Sequence, residues 1–339
     1  MEANKRKIKV LWIDDNPDQF EEFLDDAFDA GLDIDVYKTV DSGLTALQNR
    51  NIIYEAIILD ANCKISDENA EAPALVALSH AIVGIYAIGS SIPWFVYTGG
   101  GYEGAEALEY IIPQKYRSWD ERHWYDKPDD EDELFKAIIS AVENSETHKL
   151  MLQFPEAFEI SKSQELLDLL KHRDSYEFER DETVPNSLRC VADDVCHFLR
   201  DKGIYPAEFA TSNKIKECSM VIGEDYECQI APLYIKNCFL FLSDYCNAAS
   251  HQSEKRVQSR TQNIIRDHIR SGKAKYLNRS AVHSLMNIIL WASNFPVNDI
   301  EAMKPYTEIM LKLKAELDRK NEERRKKSEE RKNKKLNNE

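Results

Sequence analysis

Ile8-Lys9-Val10-Leu11-Trp12-Ile13 is an apolar run that stops on two carboxylates, Asp14 and Asp15. The same event recurs along the chain. Ala56-Ile57-Ile58-Leu59 stops on Asp60, and Trp94-Phe95-Val96-Tyr97 stops on Thr98. His123-Trp124-Tyr125-Asp126 stops on Lys127, with Pro128 after it. Such short runs, rich in Ile, Val, Tyr and Trp, suit strands buried on both faces of a parallel sheet. The pattern predicts strands over 7–13, 34–39, 55–60, 93–98 and 122–126. Helices are predicted near 17–30, 41–49, 72–88, 103–112 and 130–144. Asn16-Pro17 reads as a helix start, and Asp41 or Ser42 as the cap of the second helix. Strands alternating with helices predict an α/β domain, a doubly wound five-stranded parallel sheet with helices on both faces. In such a sheet all strand ends open on one edge, where ligands bind. The polar residues are thereby expected to share one acidic pocket with a lysine and a hydroxyl.

Three carboxylates in one pocket repel one another unless a cation sits among them, and oxygen ligands in a site open to water suit Mg²⁺. One carboxylate could attack phosphorus to give an acyl phosphate. The lysine offers a point charge to a phosphoryl oxygen. The bland alternative is five solvated residues at strand ends. Five matching residues at successive apolar run ends favour the pocket.

On these residues the first 145 positions resemble the receiver domain of two-component response regulators. The resemblance implies that Asp60 is the phosphoacceptor and that Asp14, Asp15, Asp60 and the backbone carbonyl of Asn62 hold Mg²⁺. It implies that Thr98 is the switch hydroxyl, that Lys127 contacts the phosphoryl group, and that Lys127-Pro128 is cis. Trp124 stands where the family keeps a Tyr or Phe that swings with the hydroxyl. The implied partner is a histidine kinase or phosphotransfer protein, with a homodimer as a further possibility. Two departures bear on kinetics and on the activation surface. Cys63-Lys64-Ile65-Ser66-Asp67 replaces the family's Met-Pro and Gly, with an acidic insertion over 63–73. Gly99-Gly100-Gly101 loosens the loop after the fourth strand.

The 339 residues have room for two or three domains. The net charge of −16 is uneven: residues 1–145 carry 29 acidic against 12 basic side chains, and the remainder 31 against 32. The acidic first part argues against direct contact with nucleic acid and leaves that role open for the second. No run of eighteen apolar residues and no signal-peptide core occur, so a cytoplasmic protein without membrane contact is expected. The seven cysteines include no Cys-x-x-Cys pair, so a zinc site is unsupported by spacing and reduced thiols are expected.

Residues 146–183 read as a helical connector, 184–318 as an all-α output domain and 319–339 as a charged tail. Within the output domain helices are expected from Pro185 to Gly203, over 211–222, from Pro232 to Ser250, over 256–271, over 279–293 and from Asp299. Leu233, Cys238, Leu240, Phe241, Leu242 and Tyr245 are expected to bury one, and Val282, Leu285, Met286, Ile289, Leu290 and Trp291 another. The stretch resembles the helical HEPN superfamily and its DUF4145-like branch, with Arg189, Asn247 and His251 at the matching positions. The resemblance implies a possible output site, but the Arg-x(4–6)-His spacing of the family ribonucleases is missing from this half. Asn247 and His251 at i, i+4 read as a structural hydrogen-bonded pair or as a catalytic one. The output is thus a module acting by protein contact or dimerisation. The alternative is a phosphorylation-gated ribonuclease or nucleic-acid binder, RNA before DNA. Arg256, Arg260, Arg266 and Arg270 form a basic helix, and the tail is a solvated helix or a binding arm.

Overall fold

The computed structural model describes residues 6–16, 21–66, 74–88, 92–99, 124–204, 230–250, 267–269, 271, 273, 276–295 and 300–336. They divide into two compact units, one of residues 1–153 and 162–164, the other of 154–161 and 165–339.

The first unit is a five-stranded parallel sheet, β1 (Ile8–Ile13), β2 (Leu32–Tyr37), β3 (Ala56–Leu59), β4 (Trp94–Thr98) and β5 (Trp124–Asp126). Its order is β2-β1-β3-β4-β5. Alternate residues of each strand feed two cores, as the period of two requires. Leu11, Ile13, Ile57, Leu59, Trp94 and Val96 point to one face. There α2 (Val40–Leu47) and α3 (Ala74–Ala87) cover them with Val40, Ala46, Leu78 and Ile85. Val10, Trp12, Ile58, Phe95, Tyr97 and Tyr125 point to the other. There α1 (Glu21–Ala30) and α4 (Glu131–Asn144) supply Phe23, Ala27, Leu134 and Ile138. The sheet is doubly wound, with the flavodoxin-like order.

Strand ends differ from expectation where local chemistry intervenes. β2 starts at Leu32 rather than 34, because Gly31 takes a positive φ of 99° and turns the chain out of α1. It ends two residues early because Thr39 caps α2. The Thr39 hydroxyl accepts from the Ser42 backbone N–H, and the Ser42 hydroxyl accepts from Thr39 N–H, a capping box. Thr39, not Asp41 or Ser42, is the cap. The expected helix over 103–112 lies outside the described residues, as do 17–20 and 67–73 of the acidic insertion.

Helix α5 (Glu146–Gln153) packs on α4 and belongs to the first unit. His148 Nδ1 lies 2.9 Å from the buried carboxylate of Glu55, which also accepts from Arg6 at 2.5 and 3.2 Å. This ties α5 to the edge of the sheet where β3 begins.

The described part of the second unit is helical: α6 (Pro155–Ile160), α7 (Gln164–His172), a 3₁₀ turn (Glu177–Arg180), α8 (Val184–Asp201), α9 (Leu233–Ser250), α10 (Leu277–Ser293) and α11 (Ile300–Leu336). Helices α8, α9 and α10 pack on one another. Leu188, Val191, Val195 and Leu199 form the buried stripe of α8, as the three- and four-residue spacing predicts. α9 departs from the expected face: Ile235, Phe239, Leu242 and Tyr245 are buried, while Leu233 is exposed. In α10 Leu290 is likewise exposed and Ile288 buried. The expected helix over 211–222 lies outside the described residues, as does nearly all of 256–271.

Candidate functional site

The sheet register builds the site. Ile13 stands opposite Leu59, so the next residues, Asp14 and Asp60, emerge side by side where the strand order reverses. Asp60 N–H donates to Ile13 O at 2.8 Å, and Asp14 N–H to Tyr37 O at 3.0 Å. Thr98 pairs with Asp126, and Lys127 N–H donates to Thr98 O at 3.0 Å, which starts the lysine on the same edge. The Lys127–Pro128 peptide is cis, as the resemblance implied.

The Lys127 ammonium donates to Asp14 Oδ2 and, at 3.0 Å, to Asp60 Oδ1. All three side chains are almost fully covered, 2% exposed for Asp14 and 7% for the other two. Asp60 Oδ2 accepts from the Asn62 N–H at 2.9 Å. The Asn62 amide donates to the buried Thr98 hydroxyl at 3.4 Å. A chain of contacts thus runs Asp14, Lys127, Asp60, Asn62, Thr98. Burial holds the Asp60 carboxyl above its ordinary value; Lys127 opposes this and Asp14 adds to it. The same field reaches Cys63, whose thiol is pushed up to about 12, first by burial and then by Asp60, Asp15 and Asp14.

Asp15 stands apart from this chain. Its carboxylate faces Lys64 Nζ at 3.8 Å on the rim. Among the described residues no three acidic, His or Cys side chains are grouped closely enough to hold a metal ion. The three carboxylates line one cleft as expected, two of them bridged by an ammonium and the third beside it. The lysine offsets one of the two buried charges and lessens the repulsion that otherwise demands a cation. The donor chemistry still fits Mg²⁺: every candidate ligand is an oxygen, and Asp14, Asp15, Asp60 and Asn62 line one open cleft of about 630 Å³.

Several residues in the cleft were missed from the sequence. Glu22 and Asp26 of α1 and Glu131 of α4 line it. Glu131 accepts from the Tyr97 hydroxyl at 2.7 Å. Their signal was the i, i+4 spacing of Glu22 and Asp26, and the acidic first turn of α4, which reads equally as dipole stabilisation. The departure after Asp60 also gains a place. Val40 N–H donates to Lys64 O at 2.9 Å and Asp41 N–H to Ile65 O at 3.0 Å, so residues 64 and 65 seat against the start of α2. Trp124 packs partly buried against the core under α3, and its indole N–H donates to Asp126 at 3.1 Å.

No family model matches the chain, and no curated protein matches it. Similar solved structures include a signal receiver domain. The signal receiver domain of a putative Luxo repressor protein from Vibrio parahaemolyticus is 16% identical over 43% of this chain and 97% of its own, at a TM-score of 0.32. NtrX from Brucella abortus is 17% identical over 56% of this chain and 40% of its own, at 0.31. Full-length FixJ from B. japonicum is 11% identical over 85% and 98%, at 0.30. Likenesses of this size carry no functional argument, which rests on the side chains instead.

In the second unit Arg189 of α8 lies beside Asp193 and near Cys246 of α9. Burial pushes Asp193 up to about 6 against the pull of Arg189. Asn247 donates to Ser243 at 3.4 Å within its own helix. His251 lies outside the described residues, as do Arg256, Arg260 and Arg266. Of the three expected output residues, Arg189 and Asn247 are thus described, on α8 and α9. No described helix is long and apolar enough to cross a membrane.

Proposed function

We propose that the N-terminal unit is a phosphoryl-accepting receiver of the response-regulator kind, with Asp60 as acceptor. One observation carries the reading: Lys127 bridges Asp14 and Asp60 at the sheet's switch point, and Asn62 links Asp60 to the Thr98 hydroxyl. A carboxylate oxygen of Asp60 attacks phosphorus and forms the new O–P bond. The bond to the donor's leaving group breaks, and its electron pair departs with that group. Lys127 then has a phosphoryl oxygen to pair with beside its contact to Asp14. Thr98, already reached through Asn62, is placed to donate to another. When bound, Mg²⁺ supplies positive charge for the incoming phosphoryl oxygens, and Asp14, Asp15, Asp60 and the Asn62 carbonyl are the groups that would hold it. The donor is a histidine kinase or phosphotransfer protein. The new charge repacks the Thr98 and Trp124 region, and the helical unit or a second copy of the chain reads the change by protein contact.

Incubation with acetyl phosphate, read by intact mass, tests this. One phosphoryl group per chain is expected in Mg²⁺ and none in EDTA. Equal labelling in both, or none in either, rejects the reading.

A further inference from the structure

Read along the sequence, the tail mixes its charges. Wound into α11, it gathers most of its cations on one side. At about 100° per residue, eight of the ten cationic positions of segment 319–336 fall within one half of the helix circumference, 320, 324, 325, 327, 331, 332, 334 and 335, while 319 and 326 fall among the glutamates. The four glutamates, 322, 323, 329 and 330, fall within about a third of the circumference on the opposite side. Positions 320, 324, 327, 331 and 334 follow one line at spacings of four and three, about 21 Å long.

Contacts agree with that division. Lys326, within the acidic side, pairs with Glu322 at 3.8 Å, and Arg325, at its border, with Glu329 at 3.4 Å. Among the described residues Lys320, Arg324 and Lys327 are exposed and enter no ion pair. Met310 is the last buried residue of the helix among those described, about 14 Å of axis before Arg319. Among the described residues beyond it none is buried, so their charge order serves no core.

We infer that the cationic face of α11 binds the phosphodiester backbone of duplex DNA. The major groove of B-DNA, about 12 Å wide, admits a helix, whereas that of A-form RNA is deep and narrow. A cationic half-circumference reaches the phosphates on both walls, and the glutamates face solvent. Repulsion from the acidic first unit is screened beyond the Debye length of about 8–10 Å near physiological salt.

The test uses the full chain and a labelled duplex of random sequence, with fluorescence anisotropy over a salt series. Wild type is expected to bind at low salt, with log Kobs falling linearly in log salt. Gln at positions 320, 324, 327, 331 and 334 keeps helix propensity and is expected to weaken binding at least about 100-fold and flatten the salt slope by up to about 4. Gln at the four glutamates is expected to tighten it. A chain ending at Asp318 is the second variant. It is expected to keep its melting temperature and lose the binding, which separates loss of contact from misfolding. Absence of wild-type binding at low salt, unchanged binding in the two cation-depleted variants, or tighter binding of duplex RNA overturns the inference. So does a change of oligomeric state on truncation without DNA binding, which would give the face to the acidic unit of another copy.

Discussion

Asp60→Asn is expected to abolish phosphoryl uptake from acetyl phosphate and, in EDTA at pH 7, to raise the melting temperature. The first effect removes the nucleophile. The second follows from the charge balance in the cluster. Lys127 brings one positive charge to two covered carboxylates, Asp14 and Asp60, so one negative charge is left without compensation. Burial and Asp14 together hold the Asp60 pKa above its ordinary 3.8 despite Lys127. A carboxyl whose pKa is higher folded than unfolded stabilises the fold in its protonated form. That stability is fully present below 3.8 and is lost as pH rises through the folded value, so ionised Asp60 weakens the fold at pH 7. Asparagine stays neutral and leaves Lys127 paired with Asp14. The gain in melting temperature of the variant over wild type should therefore vanish below pH 4 and grow toward neutrality. Thermal denaturation across that range checks it. A variant that melts below wild type at pH 7 refutes this account of the cluster.

Asn278→Ala is expected to cost the helical unit about 3–5 kcal/mol, from the 1–3 kcal/mol of each buried polar group left unpaired. Asn278 is wholly buried at the start of α10. Its amide nitrogen donates to the carbonyls of Phe178 at 2.5 Å and Asp181 at 3.2 Å, and its oxygen accepts from the Tyr245 hydroxyl at 2.6 Å. One side chain thus joins α9, α10 and the 3₁₀ turn. Alanine strands the Asp181 carbonyl and the Tyr245 hydroxyl, while the Phe178 carbonyl keeps the Asp181 N–H at 3.3 Å and the Asn278 backbone N–H keeps its bond to Glu179. Tyr245→Phe should cost less, about 1–2 kcal/mol, since only the amide oxygen loses its donor. Urea denaturation by circular dichroism measures both. Equal costs for the two would contradict the shared role of Asn278.

The first unit was legible because its sheet is buried on both faces. Each central strand is a continuous apolar run, and the polar residue that ends it stands out. The register that sets Asp14 beside Asp60, and the lysine that bridges them, were not legible, because both depend on pairing between distant segments. Asp15 reads in sequence as the twin of Asp14. Neighbouring residues at a strand end point different ways, and Lys64 on the rim takes the second one. In the helical unit α8 was read well because its apolar residues keep to one stripe. α9 and α10 carry apolar side chains around most of the circumference, so Leu233 and Leu290 looked as buriable as Ile235 and Ile288. Asn278 gave no signal at all, since an asparagine in a helix start reads as a surface cap until its three partners arrive from elsewhere. The charge order of α11 was in the sequence, yet it shows only when the segment is wound at 3.6 residues per turn.

The most direct measurement locates the acceptor. Borohydride reduces an acyl phosphate to an alcohol, so a phosphorylated aspartate becomes homoserine. The chain is loaded with acetyl phosphate in Mg²⁺, reduced, digested and sequenced by mass spectrometry. Homoserine at position 60, with Asp14 and Asp15 intact, is the predicted result. Homoserine at 14 or 15, or at no position in a chain that has gained a phosphoryl group, contradicts it.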